Sequence, residues 1–223
     1  LAADGAEGVG LAFEHIPDII ISDVMMPGLD GLELTKRIKD DERTCHIPVI
    51  LLTARVDEVS RIEGWKKGAD DYLAKPFSLE ELRVRVFNLL EQRKRLAAKF
   101  KEEEATNQEV FNEPREPSLD EKFVIRVKGI IEANISNSLF GVEMLAAEMN
   151  ISRAQLFRKL KALINTSPSE FINDYRLQRA AKLIRAKADN VAQIGYAVGF
   201  NEQSYFAKRF RKKYGMSPSE YAQ

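Results

Sequence analysis

Apolar residues follow two different rhythms along this chain, and the change between them divides it. Toward the amino end, "PDIIIS" (17–22) and "IPVILLTA" (47–54) are short unbroken apolar runs rich in Ile and Val. They are too short for helices and are bounded by proline, as strands buried on both faces of a parallel sheet tend to be. "DYLAKPF" (71–77) predicts a third short strand. Between these runs, "DGLELTKRIKDD" places Leu32, Leu34 and Ile38 near one helical face, and "DEVSRIEGWKKGA" (57–69) repeats the pattern. Strands alternating with such helices imply βαβ units, so the predicted fold of this half is α/β, a doubly wound parallel sheet with helices on both faces.

Past residue 119 only helical periods remain. "LDEKFVIRVKGIIEANI" sets Phe123, Val127, Ile130 and Ile131 in one apolar stripe. Two shorter stretches then share a design. "GVEMLAAEMNISRAQLFRKLKALI" predicts an apolar helix, a tight turn at Asn150, Ser152 as N-cap and a basic amphipathic helix. Its expected core face is Leu156, Leu160 and Leu163, leaving Arg153, Ala154, Arg158 and Lys161 outward. "NVAQIGYAVGFNEQSYFAKRFRKKYG" repeats the design, with a turn at Gly199 and Phe206 and Phe210 inward. Gln203, Ser204, Lys208 and Arg211 then fall at the outer surface. Two helices on a short turn, the second one basic, form a helix-turn-helix. The predicted second domain is all-α with two such subdomains. Its boundaries are 119–223, after an α/β domain over 1–92 and a charged helical extension and linker over 93–118.

Composition supports this division. A chain of 223 residues fits two domains of about 100 residues better than one core. The net charge of zero conceals an asymmetry: residues 1–119 carry 17 Lys+Arg against 24 Asp+Glu, net −7, and residues 120–223 carry 17 against 10, net +7. A basic half is the footprint expected of a nucleic-acid binder, and double-stranded DNA is the expected partner. With Cys45 alone there is no internal disulfide, and no apolar run is long enough to span a bilayer, so a cytoplasmic protein without membrane contact is expected. His15 and His46 are isolated in sequence and are expected at the surface or at a strand edge.

In an open α/β sheet, functional groups gather at the carboxyl ends of the strands. Asp23, Thr53 and Lys75 fall there, 30 and 22 residues apart, each about one βα unit. Adjacent strands would bring together a carboxylate able to attack phosphorus, a hydroxyl able to donate to a phosphoryl oxygen and an ammonium able to neutralise it. Taken singly, each has a plainer reading, as a turn cap, a strand end and a surface charge.

Through "SDVMMPGLDG", "ILLTA" and "GADDYLAKPF", residues 1–92 resemble the receiver domain of two-component response regulators, a flavodoxin-like fold. The resemblance implies phosphorylation of Asp23 by a histidine kinase or other phosphodonor, phosphoryl contacts from Thr53 and Lys75, and Tyr72 as the aromatic that changes rotamer on activation. It further implies a cis Lys75–Pro76 bond and Mg2+ bound by Asp23, the Met25 carbonyl and an acidic pair ending the family's first strand. Here "LAADGAEGVGLAFEH" resembles the family's second strand end and helix, so the first strand and the acidic pair are missing. The chain is therefore expected to be a fragment, with an open edge at its first strand and Mg2+ bound only if the pair is supplied.

Residues 119–223 resemble the DNA-binding domain of the AraC/XylS regulators, on "LAAEMNISRAQLFRKLKAL", "SPSEFINDYRLQRAAKLI" and "IGYAVGFNEQSYFAKRFRKKYGMSPSEY". The resemblance implies base contacts from Arg153, Ala154, Gln155 and Arg158 and from Gln203, Ser204, Tyr205 and Lys208, with Arg158 suited to guanine and Gln203 to adenine. Arg185, Lys212 and Lys213 are expected on DNA phosphates. Together the domains imply a phosphorylation-controlled transcription regulator that is not itself an enzyme and that forms a homodimer when phosphorylated. Two alternatives stay open: the receiver and output end of a hybrid sensor histidine kinase, and an aspartyl-phosphate enzyme on a similar fold.

Overall fold

The computed structural model describes residues 1–54, 68–106 and 116–222, the side chains of 99–106 excepted. The helix expected over 57–69 lies almost wholly outside the described residues. The chain forms two compact units, Leu1–Lys122 with Phe157–Asn165, and Phe123–Leu156 with Thr166–Gln223.

In the first unit, Ile20–Asp23 (β1), Val49–Thr53 (β2) and Asp71–Ala74 (β3) form a parallel sheet in that order. Asp23 lies opposite Leu52 and Thr53 opposite Ala74, so the strands end at nearly one level. Val49, Ile50 and Leu51 on the middle strand are fully buried, which is why this run needs no polar alternation. β1 bonds to β2 on one side; among the described residues no strand lies on the other, and Ile21 of β1 is exposed.

Gly5–His15 (α1) and Gly31–Asp40 (α2) each start on an aspartate cap: Asp4 accepts from the Glu7 amide and Asp30 from the Glu33 amide. α1 packs on α2 and α2 on β2, joining Val9, Ala12, Leu34, Ile38 and Val49 in one core. Leu79–Thr106 (α3) runs unbroken through Gln92 and Arg93. His46 departs from expectation. It is buried, next to Ile47 in the approach to β2, and burial drives its pKa down to about 3, leaving a neutral imidazole.

The remaining elements are helices: Leu119–Ala133 (α4), Val142–Glu148 (α5), Arg153–Ile164 (α6), Pro168–Arg185 (α7), Val191–Ala197 (α8), Gln203–Tyr214 (α9) and Pro218–Tyr221 (α10). Asn150 and Gly199 hold the left-handed backbone of the two expected turns, with φ of 58° and 84°. Gly199 is also sterically required, since a Cβ there would lie 2.5 Å from the Ile135 carbonyl oxygen. The long helix α7 opens on a capping box between Ser167 and Glu170 with Pro168 in its first turn. Arg176 on α7 is buried and donates to the Asn137 carbonyl at 2.7 Å.

Two expectations about the helical faces change. On α4, Phe123, Val127 and Ile131 are buried but Ile130 is only half-buried. On α6 the buried line is Leu156, Leu160 and Ile164, with Leu163 half-buried at its edge, because burial continues into the turn at Thr166 and Pro168. Lys159 within α6 is almost completely buried and donates to Asp120 at 2.6 Å. Burial pushes the Asp120 pKa up, but the Lys159 ammonium outweighs it, and the carboxyl sits below its usual range.

Candidate phosphoacceptor site and nucleic-acid interface

The parallel register places Asp23, Thr53 and Lys75 at neighbouring strand ends. Val24 donates to the Leu52 carbonyl at 2.9 Å and Lys75 to the Thr53 carbonyl at 2.7 Å, extending the ladder one residue past each strand. The chain then turns back at "MMPGLDG", and Gly31 donates to the Val24 carbonyl at 3.0 Å. A Cβ on Gly31 would stand 2.1 Å from the Asp23 carbonyl oxygen, so only glycine lets α2 start this close to the strand end.

The Asp23 carboxylate is held from two sides. Oδ1 accepts from the Met25 amide at 3.1 Å, and Oδ2 is paired with Lys75 Nζ. Partial burial, the largest single influence, pushes its pKa up, but the Lys75 hydrogen bond and the Met25 and Val24 amides together hold the carboxyl below its usual range. Asp23 is therefore an anion at neutral pH and keeps about a third of its side chain exposed. Thr53 is buried at the end of β2. Tyr72, across from Leu51, packs into the core, and burial raises its hydroxyl pKa to about 12. The Lys75–Pro76 bond is cis, as the resemblance implies.

These groups do not by themselves make a divalent cation site. Mg2+ requires near-octahedral oxygen coordination and usually takes one or more carboxylates besides water. Asp23 is already engaged by Lys75 and the Met25 amide, and among the described residues no group of three or more His, Cys, Asp or Glu is placed to hold a metal.

On the helical side, the two basic helices present unequal sets of groups. Arg153, Ala154, Arg158 and Lys161 of α6 are exposed, as are Ser204, Tyr205 and Lys208 of α9. Arg153 is paired with Glu143 at 2.7 Å, with both side chains about two-thirds exposed. Gln155 is instead occupied at its own helix end: its amide N–H donates to Ser152 Oγ at 3.2 Å, and its Oε1 accepts from the Ser152 N–H at 2.8 Å. That reciprocal pair is a capping box, legible in the sequence as "SRAQ". Gln203 Nε2 donates to the Ala192 carbonyl at 2.8 Å, which ties α9 to α8. Among the residues expected on phosphates, Lys212 is exposed, Arg185 lies 5.0 Å from the Tyr221 ring centre, and Lys213 is held against α7 at Asp174.

Comparison with known proteins places both halves. The response regulator receiver domain model matches residues 1–87, and a helix-turn-helix domain model matches residues 145–223. The chain is thus a response regulator receiver domain followed by a helix-turn-helix domain. Histidine kinase P4 of Formosa agariphila is 42% identical over 221 residues, 99% of this chain and 16% of that protein. The DNA-binding dual master transcriptional regulator RpaA of Synechocystis is 44% identical over 107 residues, 48% of this chain and 44% of that protein. The chain therefore spans less than half the length of either relative. Among solved structures, the receiver domain of sensor histidine kinase PA1611 from Pseudomonas aeruginosa, described with magnesium coordinated in its active-site cleft, is 36% identical at a TM-score of 0.38. It covers 40% of this chain and 74% of its own. No described helix is long and apolar enough to cross a membrane.

Proposed function

We propose that this chain couples phosphorylation of Asp23 to sequence-specific binding of double-stranded DNA, and so to control of transcription in a two-component system. The observation that carries the reading is the meeting of Asp23, Thr53 and Lys75 at adjacent strand ends, with Lys75 already on the Asp23 carboxylate. In the reaction, an Asp23 oxygen forms a bond to phosphorus as the bond from phosphorus to the donor's leaving group breaks. Lys75 then neutralises charge on the transferred group, and the Thr53 hydroxyl donates to one of its oxygens. The phosphoryl group carries about 1.5 to 2 negative charges at neutral pH and replaces the single charge of the Asp23 carboxylate, a larger and displaced anion to which Thr53 and Tyr72 respond. A receiver surface so altered pairs two chains, and pairing raises affinity for repeated DNA sites. Mg2+ enters this reading only with carboxylates beyond those described.

Incubation with a small acyl phosphate, followed by mass spectrometry, tests it: the chain gains one phosphoryl group and Asp23→Asn gains none. Equal labelling of both would sink the assignment. A second reading has its own support, because the match to a histidine kinase runs through both domains and fills only 16% of that protein. In that reading this chain is the receiver and output end of a hybrid sensor kinase. Transfer of phosphate from a kinase core on the same polypeptide, in the natural full-length protein, separates the two.

A further inference from the structure

Phe157 is a large aromatic residue left about half exposed on α6. It has no place in the helix core, where Leu156, Leu160 and Ile164 are buried on another face. By the 3.6-residue period it lies one turn from Ala154 and Lys161 and adjacent to Arg158, so it shares the outward face of the helix with all three. That face has an apolar centre of Ala154 and Phe157 with Arg153, Arg158 and Lys161 around it, Arg153 being paired with Glu143 and Arg158 donating to the Glu14 carbonyl at 3.3 Å. The corresponding helix α9 differs: Ala207 stands at the equivalent position, and its outward groups are Ser204, Tyr205 and Lys208.

Covering this phenyl ring with an apolar group would be favourable. Double-stranded DNA supplies one matching group, the 5-methyl of thymine, which lies in the major groove between rows of phosphate. The surrounding cations complement those phosphates. We infer that Phe157, with Ala154 beside it, is a specificity-determining residue that selects thymine by contact with its methyl group. This rests on the reading of α6 as a base-reading helix. It makes α6 a reader of methyl and guanine edges and leaves α9 to read through hydrogen-bonding side chains.

The test uses the whole 223-residue chain. Bound duplexes are first selected from a random pool, and each thymine of the recovered site is then replaced singly by deoxyuridine, which lacks only the methyl group. At one or two thymines the replacement weakens binding about three- to fivefold, the scale of one buried methyl. Phe157→Ala abolishes that difference, while Phe157→Leu, which keeps an apolar contact, retains part of it. Both variants keep the far-ultraviolet circular dichroism of the parent. A recovered site at which no deoxyuridine effect depends on Phe157 overturns this inference and leaves DNA reading intact. Uniform weakening of all duplexes by Phe157→Ala overturns it too. Recovery of no site overturns the DNA-reading function and the inference together.

Discussion

A carboxylate attacks phosphorus only while ionised, and Lys75 and the Met25 amide keep Asp23 in that state. Asp23 has a folded pKa below its unfolded one, so the stability it gains is present above pH of about 4 and is lost as pH falls through the folded pKa. Both partners are solvent-accessible, and that contribution is below about 1 kcal/mol. Lys75→Met should therefore leave thermal stability nearly unchanged, while phosphorylation by an acyl phosphate slows markedly because the transferred charge loses its counterion. Asp120 has the same sign and a larger consequence, since its partner Lys159 is buried. Asp120→Asn removes the carboxylate that accepts from that ammonium at 2.6 Å and should cost about 3 kcal/mol at neutral pH. Thermal denaturation between pH 3 and 7 would show a lower midpoint at pH 7 and a flatter acid limb; an unchanged profile would exclude the ion pair as a stabilising contact. Asp23, Thr53 and Lys75 could be picked out from sequence because each directly follows or ends an apolar run. Lys159 could not, because nothing in "FRKLKAL" separates the one lysine that faces inward from the charges that face water.

Each element starts or stops where a particular residue satisfies or requires a backbone condition. α2 starts against the end of β1 because Gly31 has no Cβ to strike the Asp23 carbonyl. Gly31→Ala should displace that junction and slow Asp23 phosphorylation by at least about tenfold, the scale of misplacing a reacting group. Normal labelling kinetics would show that the junction tolerates movement. Gly199 makes a stronger demand, combining a φ of 84° with the nearby Ile135 carbonyl. Gly199→Ala should destabilise the helical unit by more than about 1 kcal/mol, read from its urea midpoint. At Ser167 the capping box predicts a loss of about 1 kcal/mol on substitution by alanine. The strands, caps and turns were largely legible because they depend on local chemistry. The occupation of Gln155 and Gln203 was less so: the box at Ser152 has a sequence signature, but the Gln203 bond to Ala192 depends on how α9 crosses α8.

For the molecule as a whole, the proposed coupling predicts that phosphorylation in an intact receiver changes association state. Sedimentation with and without a stable phosphoryl mimic should show a shift from one chain to two, accompanied by tighter binding to a duplex carrying two sites than to one. An unchanged association state would disprove pairing as the link. The sequence by itself determined the two-part organisation, the parallel strand pattern, the helix-turn-helix pattern and the meeting of Asp23, Thr53 and Lys75 at the strand ends. Those features follow from periodicity, charge and motif spacing, which are written in the order of residues. Tertiary structure decided what depends on which face a residue meets. It buried His46 and Lys159, moved the last core contact of α6 from Leu163 to Ile164, and held Lys213 against Asp174. It also left Phe157 exposed among cations. The physical reason is that burial and pairing depend on the neighbours brought from distant parts of the chain, and residue order alone does not set those distances.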